Sequence, residues 1–279
     1  MTEQLHLRLG GVPEHFNLPW HLAIEDFAAS GDLGPGVEVS WEDQHGGTGA
    51  MLAGLEAGEL DLVSILTEGT VLAIEQGAAI TILQVYVQSP LRWGVHVPAA
   101  SSIIEESELD GARIAISRFR SGSHLMAFVL GERLGHQISD EQFVLIGNLD
   151  GAREAFANGD ADLFLWDRYM TQVLVDKGEF RRIGVQETPW PSFVVAARNE
   201  VIAEAPDQVT AIVDAVVGHA VALHDRPEIV DELTSRYEIS ELSAREWLDA
   251  TTFAPAGPVD QAMLADTLAT LRRAGFGAD

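Results

Sequence analysis

Residues 117–124, Ser-Arg-Phe-Arg-Ser-Gly-Ser-His, hold two guanidiniums, three hydroxyls and an imidazole just ahead of an apolar helical run. Arg118 and Arg120 offer forked donors that match the oxygens of a carboxylate, sulfonate or phosphate. Ser121, Gly122 and Ser123 stand where that helix would begin, and a helix N-terminus carries roughly half a positive charge. His124 adds a group that titrates near neutrality. The competing reading is a solvated turn whose arginines only offset nearby acid.

Three other stretches hold comparable chemistry. In GGVPEHFNLPW (10–20), Gly11 lets backbone approach a ligand, and Glu14, His15, Asn17 and Trp20 follow. The plainer role for Trp20 is packing of a helix on a sheet. In DQHGGTGAM (43–51), Gly46, Gly47, Thr48 and Gly49 precede a helical pattern, so free N–H groups and one hydroxyl are available to an anion or carbonyl. SILTEG (64–69) and FLWDRYM (164–170) end apolar strands in Glu68 and in Trp166–Asp167. The carboxylates suit amines or hydroxyls, or else cap helices; the tryptophan suits a planar ligand. Ser89 and Trp190 lie at two proline-containing crossings. The charges conflict, and a small ligand with an acidic part and a heteroaromatic or amine part satisfies both.

Several chemistries are excluded or unsupported. There are 17 basic residues against 43 acidic ones, a net charge of −26, which disfavours nucleic acid and anionic membranes. Cysteine is absent, and the nine histidines show neither H-x-x-x-H nor H-E-x-x-H spacing, so no metal site is expected. P-loop, G-x-G-x-x-G and G-x-S-x-G patterns are missing, and no cofactor is expected. No apolar run reaches membrane-spanning length. The N-terminus has no basic and apolar leader pattern, so the chain as written is expected in the cytoplasm; a processed chain would belong to the periplasm or outside.

The elements that must position these residues follow from periodicity. Strands are expected at 5–11, 37–41, 60–66 and 79–87, with helices over 17–29, 48–58 and 67–77 between them. Asn17 is the expected cap of the first helix, with Pro19 in its first turn. The alternation restarts with strands at 93–98, 112–117, 142–147, 161–166, 181–186 and 193–200. Helices are expected from Ser123 to Gly135, over 150–159, and up to Gly178. From 206 onward the pattern is helical, ending at Gly275 and Gly277. This is an α/β chain with largely buried sheets.

GTGAMLAGLEAGELDLVSILTEG and NLDGAREAFANGDADLFLWDRYM follow one plan: a small-residue loop, a helix, Gly, an acidic residue, Asp-Leu, an apolar strand and a polar turn. They read as equivalent pieces of two similar lobes. With YVQSPLRWGVHV and ELDGARIAISRFRSGSHLMA, these segments make the chain resemble type II periplasmic-binding-protein folds. The resemblance is to the group binding aliphatic sulfonates, nitrate or taurine, and thiamine-pyrimidine precursors. It implies two α/β lobes joined by a hinge, a ligand in the interlobe cleft, and a helical C-terminal segment. Residues 1–90 plus 193–279 would form lobe one and 91–192 lobe two. The crossings fall near Ser89–Trp93 and Pro189–Val195.

The expected function is that of a solute-binding protein closing on a small organic ligand, with an ABC transporter as the partner the resemblance implies. The alternative is a cytoplasmic lyase or dehydratase on the same fold, in which His15 or His124 works as acid–base beside Glu68 or Asp167. The pyrimidine-synthase branch of the resemblance relies on lysine and cysteine; Lys177 is the only lysine here and cysteine is absent.

Overall fold

Leu5–Gly11 forms β1, whose alternation buries Leu7 and Leu9 and leaves His6 outside. In this computed structural model, which describes residues 5–237 and 239–276, the chain continues through α1 (Leu18–Ser30), β2 (Val37–Asp43), α2 (Gly47–Glu56), β3 (Leu62–Leu66), α3 (Thr67–Glu75) and β4 (Ile80–Val87). Next come β5 (Arg92–Pro98), β6 (Ile114–Ile116), α4 (Gly122–Leu134), β7 (Phe143–Leu145), α5 (Leu149–Asn158), β8 (Leu163–Asp167), α6 (Gln172–Asp176) and β9 (Phe180–Glu187). β10 (Phe193–Arg198) leads into α7 (Asn199–Glu204), α8 (Pro206–Val221), α9 (Ile229–Arg236), α10 (Glu241–Ala250) and α11 (Gln261–Arg273).

These elements group into two units. One holds residues 5–89 together with Trp190–Ala269; the other holds Pro90–Pro189 together with Thr270–Phe276. The first unit is built on a sheet of order β2-β1-β3-β10-β4. β1 runs parallel to β2 and β3, and β10 runs antiparallel to β3 and β4. With a strand on each side, β3 is buried along Leu62–Ile65, which is why its sequence reads as a nearly continuous apolar run. α1 packs along α8, whose Ile212 and Val216 are fully enclosed.

The second unit repeats the arrangement as β7-β6-β8-β5-β9, with β6 parallel to β7 and β8 and with β5 antiparallel to β8 and β9. Phe156, Phe164 and Phe180 form the centre of its core. In each sheet the fourth place is filled by the strand that has just crossed from the other unit: β5 after β4, and β10 after β9.

The sequence repeat has a structural cause. Asp61 precedes β3 and accepts the Arg8 backbone N–H at 2.8 Å and the Arg8 guanidinium at 3.0 and 3.1 Å. Asp162 precedes β8 and accepts the Arg113 backbone N–H at 3.0 Å and its guanidinium at 2.9 and 2.7 Å. Each aspartate therefore pins the start of a central strand to its parallel neighbour. Burial pushes the Asp61 carboxyl up, but hydrogen bonds from Arg8 and Arg198 outweigh it and hold the group below its ordinary value. The shared Asp-Leu belongs to the strand starts and not to their carboxyl ends.

Three local expectations are corrected. Asn17 caps α1 by position only; its Nδ2 donates to Val12 O at 2.7 Å instead. The helix expected up to Gly178 shortens to α6, because the Asp167 carboxylate turns the chain by accepting Tyr169 and Met170 N–H groups at 2.9 and 2.8 Å. Thr270–Phe276, expected with lobe one, groups with the second unit, where Phe276 packs on His124 and Phe128. Gly275 is left-handed beyond α11, while Gly277 lies outside the described residues.

Candidate functional site

In open α/β sheets ligands gather at the carboxyl ends of the parallel strands. In the first unit that end is made by the chain after β1, after β2 and after β3. Gly11 closes β1, and a side chain there would land 2.6 Å from Asn17 Nδ2 and 2.7 Å from Trp41, so only glycine lets these three pack. After β2, Gly46 caps α2 and Gly47 takes a left-handed φ of 64°. Thr48 and Gly49 occupy the first turn of α2. Thr48 reaches α3, since a Cβ on Gly69 would collide with its methyl. The first turns of α2 and α3 are therefore close neighbours, bringing Thr48 beside Glu68–Gly69.

Glu68 is the central group of this half. It is 4% exposed, in the first turn of α3. Its Oε2 accepts the Trp190 indole N–H at 2.9 Å, and its Oε1 is buried without a hydrogen-bond partner. Burial pushes its pKa up to about 7, against the smaller opposing pull of backbone and Trp190 donors. At neutral pH the carboxyl is therefore poised to donate as well as accept. Trp190, expected as an aromatic near the ligand, is itself buried and serves to hold Glu68. Ser64 Oγ, Thr67 Oγ1 and Asn17 Oδ1 are also buried without partners in the protein.

Three expected members of this half are spent elsewhere. Trp20 is fully enclosed against Trp41 and Tyr86, at 5.7 and 6.1 Å between rings, and is core. His15 is fully buried against Phe16 and Trp247, at 4.8 and 4.6 Å, and burial pushes its pKa down to about 3. It stays a neutral imidazole across the physiological range, where desolvation of the cation costs more than proton binding returns. Ser89 latches the crossing: its Oγ accepts Thr252 N–H at 3.1 Å, and its carbonyl accepts Ser192 Oγ–H at 2.8 Å.

In the second unit the corresponding end is Arg118–His124 after β6 and Trp166–Met170 after β8. Ser121 is the N-cap of α4, its Oγ accepting His124 N–H at 3.3 Å. Ser123 Oγ lies 3.0 Å from Ser121 Oγ and accepts Ser117 N–H at 3.0 Å. Gly122 opens the helix between them. Arg118 and Arg120 are exposed, and among the described residues neither guanidinium has an ion pair. His124, expected as a ligand contact or acid–base group, is committed to the backbone: its Nδ1 accepts Arg120 N–H at 3.1 Å.

Asp167 ends β8 and is 8% exposed. Oδ1 holds the turn, whereas Oδ2 is buried without a partner. Burial pushes its pKa up to about 6, against the opposing pull of two backbone N–H donors and the charges of Arg182 and Arg168. Trp166 stacks on Phe164 at 5.4 Å and is half-buried. Trp93, opposite Asp167 in the β5–β8 register, has a buried indole N–H without a partner. Trp93, Ser64 and Thr67 carry no motif that singles them out in the sequence. The one available signal was Ser64 and Thr67 as polar interruptions of the run LVSILT. No cluster of metal-ligating residues occurs among the described residues.

Residues 93–186 match the model of a family described as Ca3427-like PBP. No curated protein matches the chain in sequence. The chain has the type II periplasmic-binding-protein-like fold. Among solved structures it is similar to the CA3427 gene product of Candida albicans, described as defining a new family with the generic periplasmic binding protein fold. Identity is 28% over 98% of this chain and 91% of that one, with a TM-score of 0.89. It is also similar to the alkanesulfonate-binding protein SsuA from Xanthomonas axonopodis pv. citri bound to MOPS, at 19% identity over 100% and 96%, TM-score 0.82. A third likeness is PhnD1 from Prochlorococcus marinus in complex with methylphosphonate, at 15% identity over 98% and 100%, TM-score 0.67.

Proposed function

We propose that the chain is a solute-binding protein that takes a small organic anion at strand-end loops. The observation carrying this reading is a set of buried polar atoms without protein partners, in β3, in the loops after β1 and β3, and where β8 ends beside the start of β5. They are Asn17 Oδ1, Ser64 Oγ, Thr67 Oγ1 and Glu68 Oε1 in one unit, and Asp167 Oδ2 with Trp93 Nε1 in the other. Leaving such an atom unsatisfied costs about 1–3 kcal/mol, so a set of them at functional strand ends calls for a ligand. Ser121–Ser123 and the N-terminus of α4 suit an anionic head, with Arg118 and Arg120 as further donors. Glu68 and Asp167, each partly protonated near neutrality, suit a group that both donates and accepts. Gly11, Gly47–Gly49, Trp166 and Trp190 shape or support these loops.

Sulfonate and phosphonate ligands on proteins of the same fold support an oxyanion head, and an ABC importer as partner belongs to the same proposal. Thermal unfolding against methanesulfonate, taurine, MOPS, methylphosphonate and small pyrimidines tests it. A true ligand at a hundred times its Kd adds about 2.7 kcal/mol, a rise of roughly 5–10 °C for a chain of this size. A flat response across sulfonates, phosphonates, carboxylates and pyrimidines overturns the reading. Recovery of the ligand unchanged separates binding from turnover.

A further inference from the structure

His124 lies in the first turn of α4, and its ring does two jobs that the sequence does not announce. Nδ1 accepts the backbone N–H of Arg120 at 3.1 Å. Arg120 is the one non-glycine among the described residues with a left-handed backbone, at φ 63°. That conformation is uncommon for a residue with a Cβ and persists where the surroundings hold it. The ring is in turn packed by Phe119, Phe128, Phe143 and Phe276, with centroids 5.3, 5.2, 4.5 and 5.0 Å away. From His124 the bonding continues through its own N–H to Ser121 Oγ, on to Ser123 Oγ, and to the N–H of Ser117. The ring thus fixes the Arg120 backbone, while the backbone N–H of His124 joins the same residue to the hydroxyls of Ser121 and Ser123.

An Nδ1 that accepts places the ring proton on Nε2, which is buried without a partner. A second proton would have to sit on Nδ1, facing Arg120 N–H donor to donor. The charged groups around the ring are Arg120 on the turn, Asp140 ahead of β7, and Arg273 at the end of α11, all lining one pocket with it. Asp140 favours the cation, but desolvation within the phenylalanine cage outweighs it and holds the imidazole below its ordinary pKa.

We propose that His124 is a positioning residue that locks the Arg118–Ser123 turn in its ligand-ready shape, and that protonation of its ring unlocks the turn and releases the ligand. This rests on the reading of that turn as an anion-binding loop.

The test uses His124→Asn, whose Oδ1 stands where Nδ1 stood and cannot take a proton, and His124→Leu, which has no acceptor. The probe is methanesulfonate, or methylphosphonate if that binds more tightly. His124→Leu should weaken binding about tenfold at neutral pH, one lost hydrogen bond in a low-dielectric site, while His124→Asn stays within about threefold of wild type. Wild-type affinity should fall severalfold as the pH drops well below the ordinary imidazole value of 6.5, and the Asn variant should lack that part of the fall. Glu68 and Asp167 titrate in both proteins, so the difference between the two profiles belongs to His124. Hydrogen exchange of the Arg120 amide, read without ligand, should speed up in Leu and not in Asn. Equal affinity and equal Arg120 protection in Leu and wild type overturn the lock; superimposable wild-type and Asn profiles overturn the release. If wild type binds neither probe, the functional reading fails, and the exchange data still decide the lock. Should the Leu variant not fold, the wild-type and Asn profiles decide.

Discussion

Glu68 shows how one buried group links chemistry to stability. Its folded pKa of about 7 lies above the ordinary 4.5, so the native state binds the extra proton more tightly than the unfolded chain. Stability from this group is therefore present at acid pH and is lost as pH rises from about 4.5 through about 7. Glu68→Gln keeps an acceptor for Trp190 and removes the charge. It is expected to raise the melting temperature by several degrees near pH 8, reflecting at most about 3 kcal/mol, and to change little near pH 5. Melting curves of the variant that parallel wild type at both pH values would refute the buried, proton-hungry carboxyl. The positions of Glu68 just after β3 and of Asp167 at the end of β8 were legible in the sequence, because each follows the apolar run of a repeated phrase. Trp20, His15 and Ser89 were not, because Tyr86, Trp247 and Thr252, which enclose or bind them, lie far along the chain.

At the scale of the elements, strand order is secured by the aspartates before β3 and β8. Asp61 holds Arg8 of β1 and Arg198 of β10, so three neighbouring strands meet at one carboxylate whose side chain is 2% exposed. Asp162 makes the corresponding pair with Arg113, but with 32% exposure. Removing one partner of a buried pair leaves the other charge stranded, whereas an exposed pair is weakened by solvent. Asp61→Ala should cost about 2–3 kcal/mol in denaturant unfolding, the loss of several charged hydrogen bonds while Arg8 and Arg198 keep some exposure and Arg198 keeps Glu200, and Asp162→Ala clearly less. Equal losses would show that the exposed pair matters as much as the buried one. The α/β alternation was readable from periodicity, and each apolar run reflects a strand with neighbours on both sides. The stop after β8 was not, because a side chain, Asp167, shortens the following helix by capturing two backbone N–H groups.

For the whole molecule, the net charge of −26 opposes the approach of any anion. The repulsion is long-range and is screened within about 8 Å at physiological salt. Association of methanesulfonate should therefore quicken as ionic strength rises from about 0.01 to about 0.15 M, measured by stopped-flow tryptophan fluorescence. Slower association would mean that Arg118 and Arg120 dominate the field the ligand meets. By itself the sequence determined the α/β class, the two related lobes and the strand-end loops, because periodicity, glycine placement and an internal repeat are local properties. Tertiary structure alone decided which polar atoms are left without partners, that Trp190 serves Glu68, and that His124 serves Arg120. Those outcomes depend on burial and hydrogen bonding between segments distant in the chain, which no local pattern records.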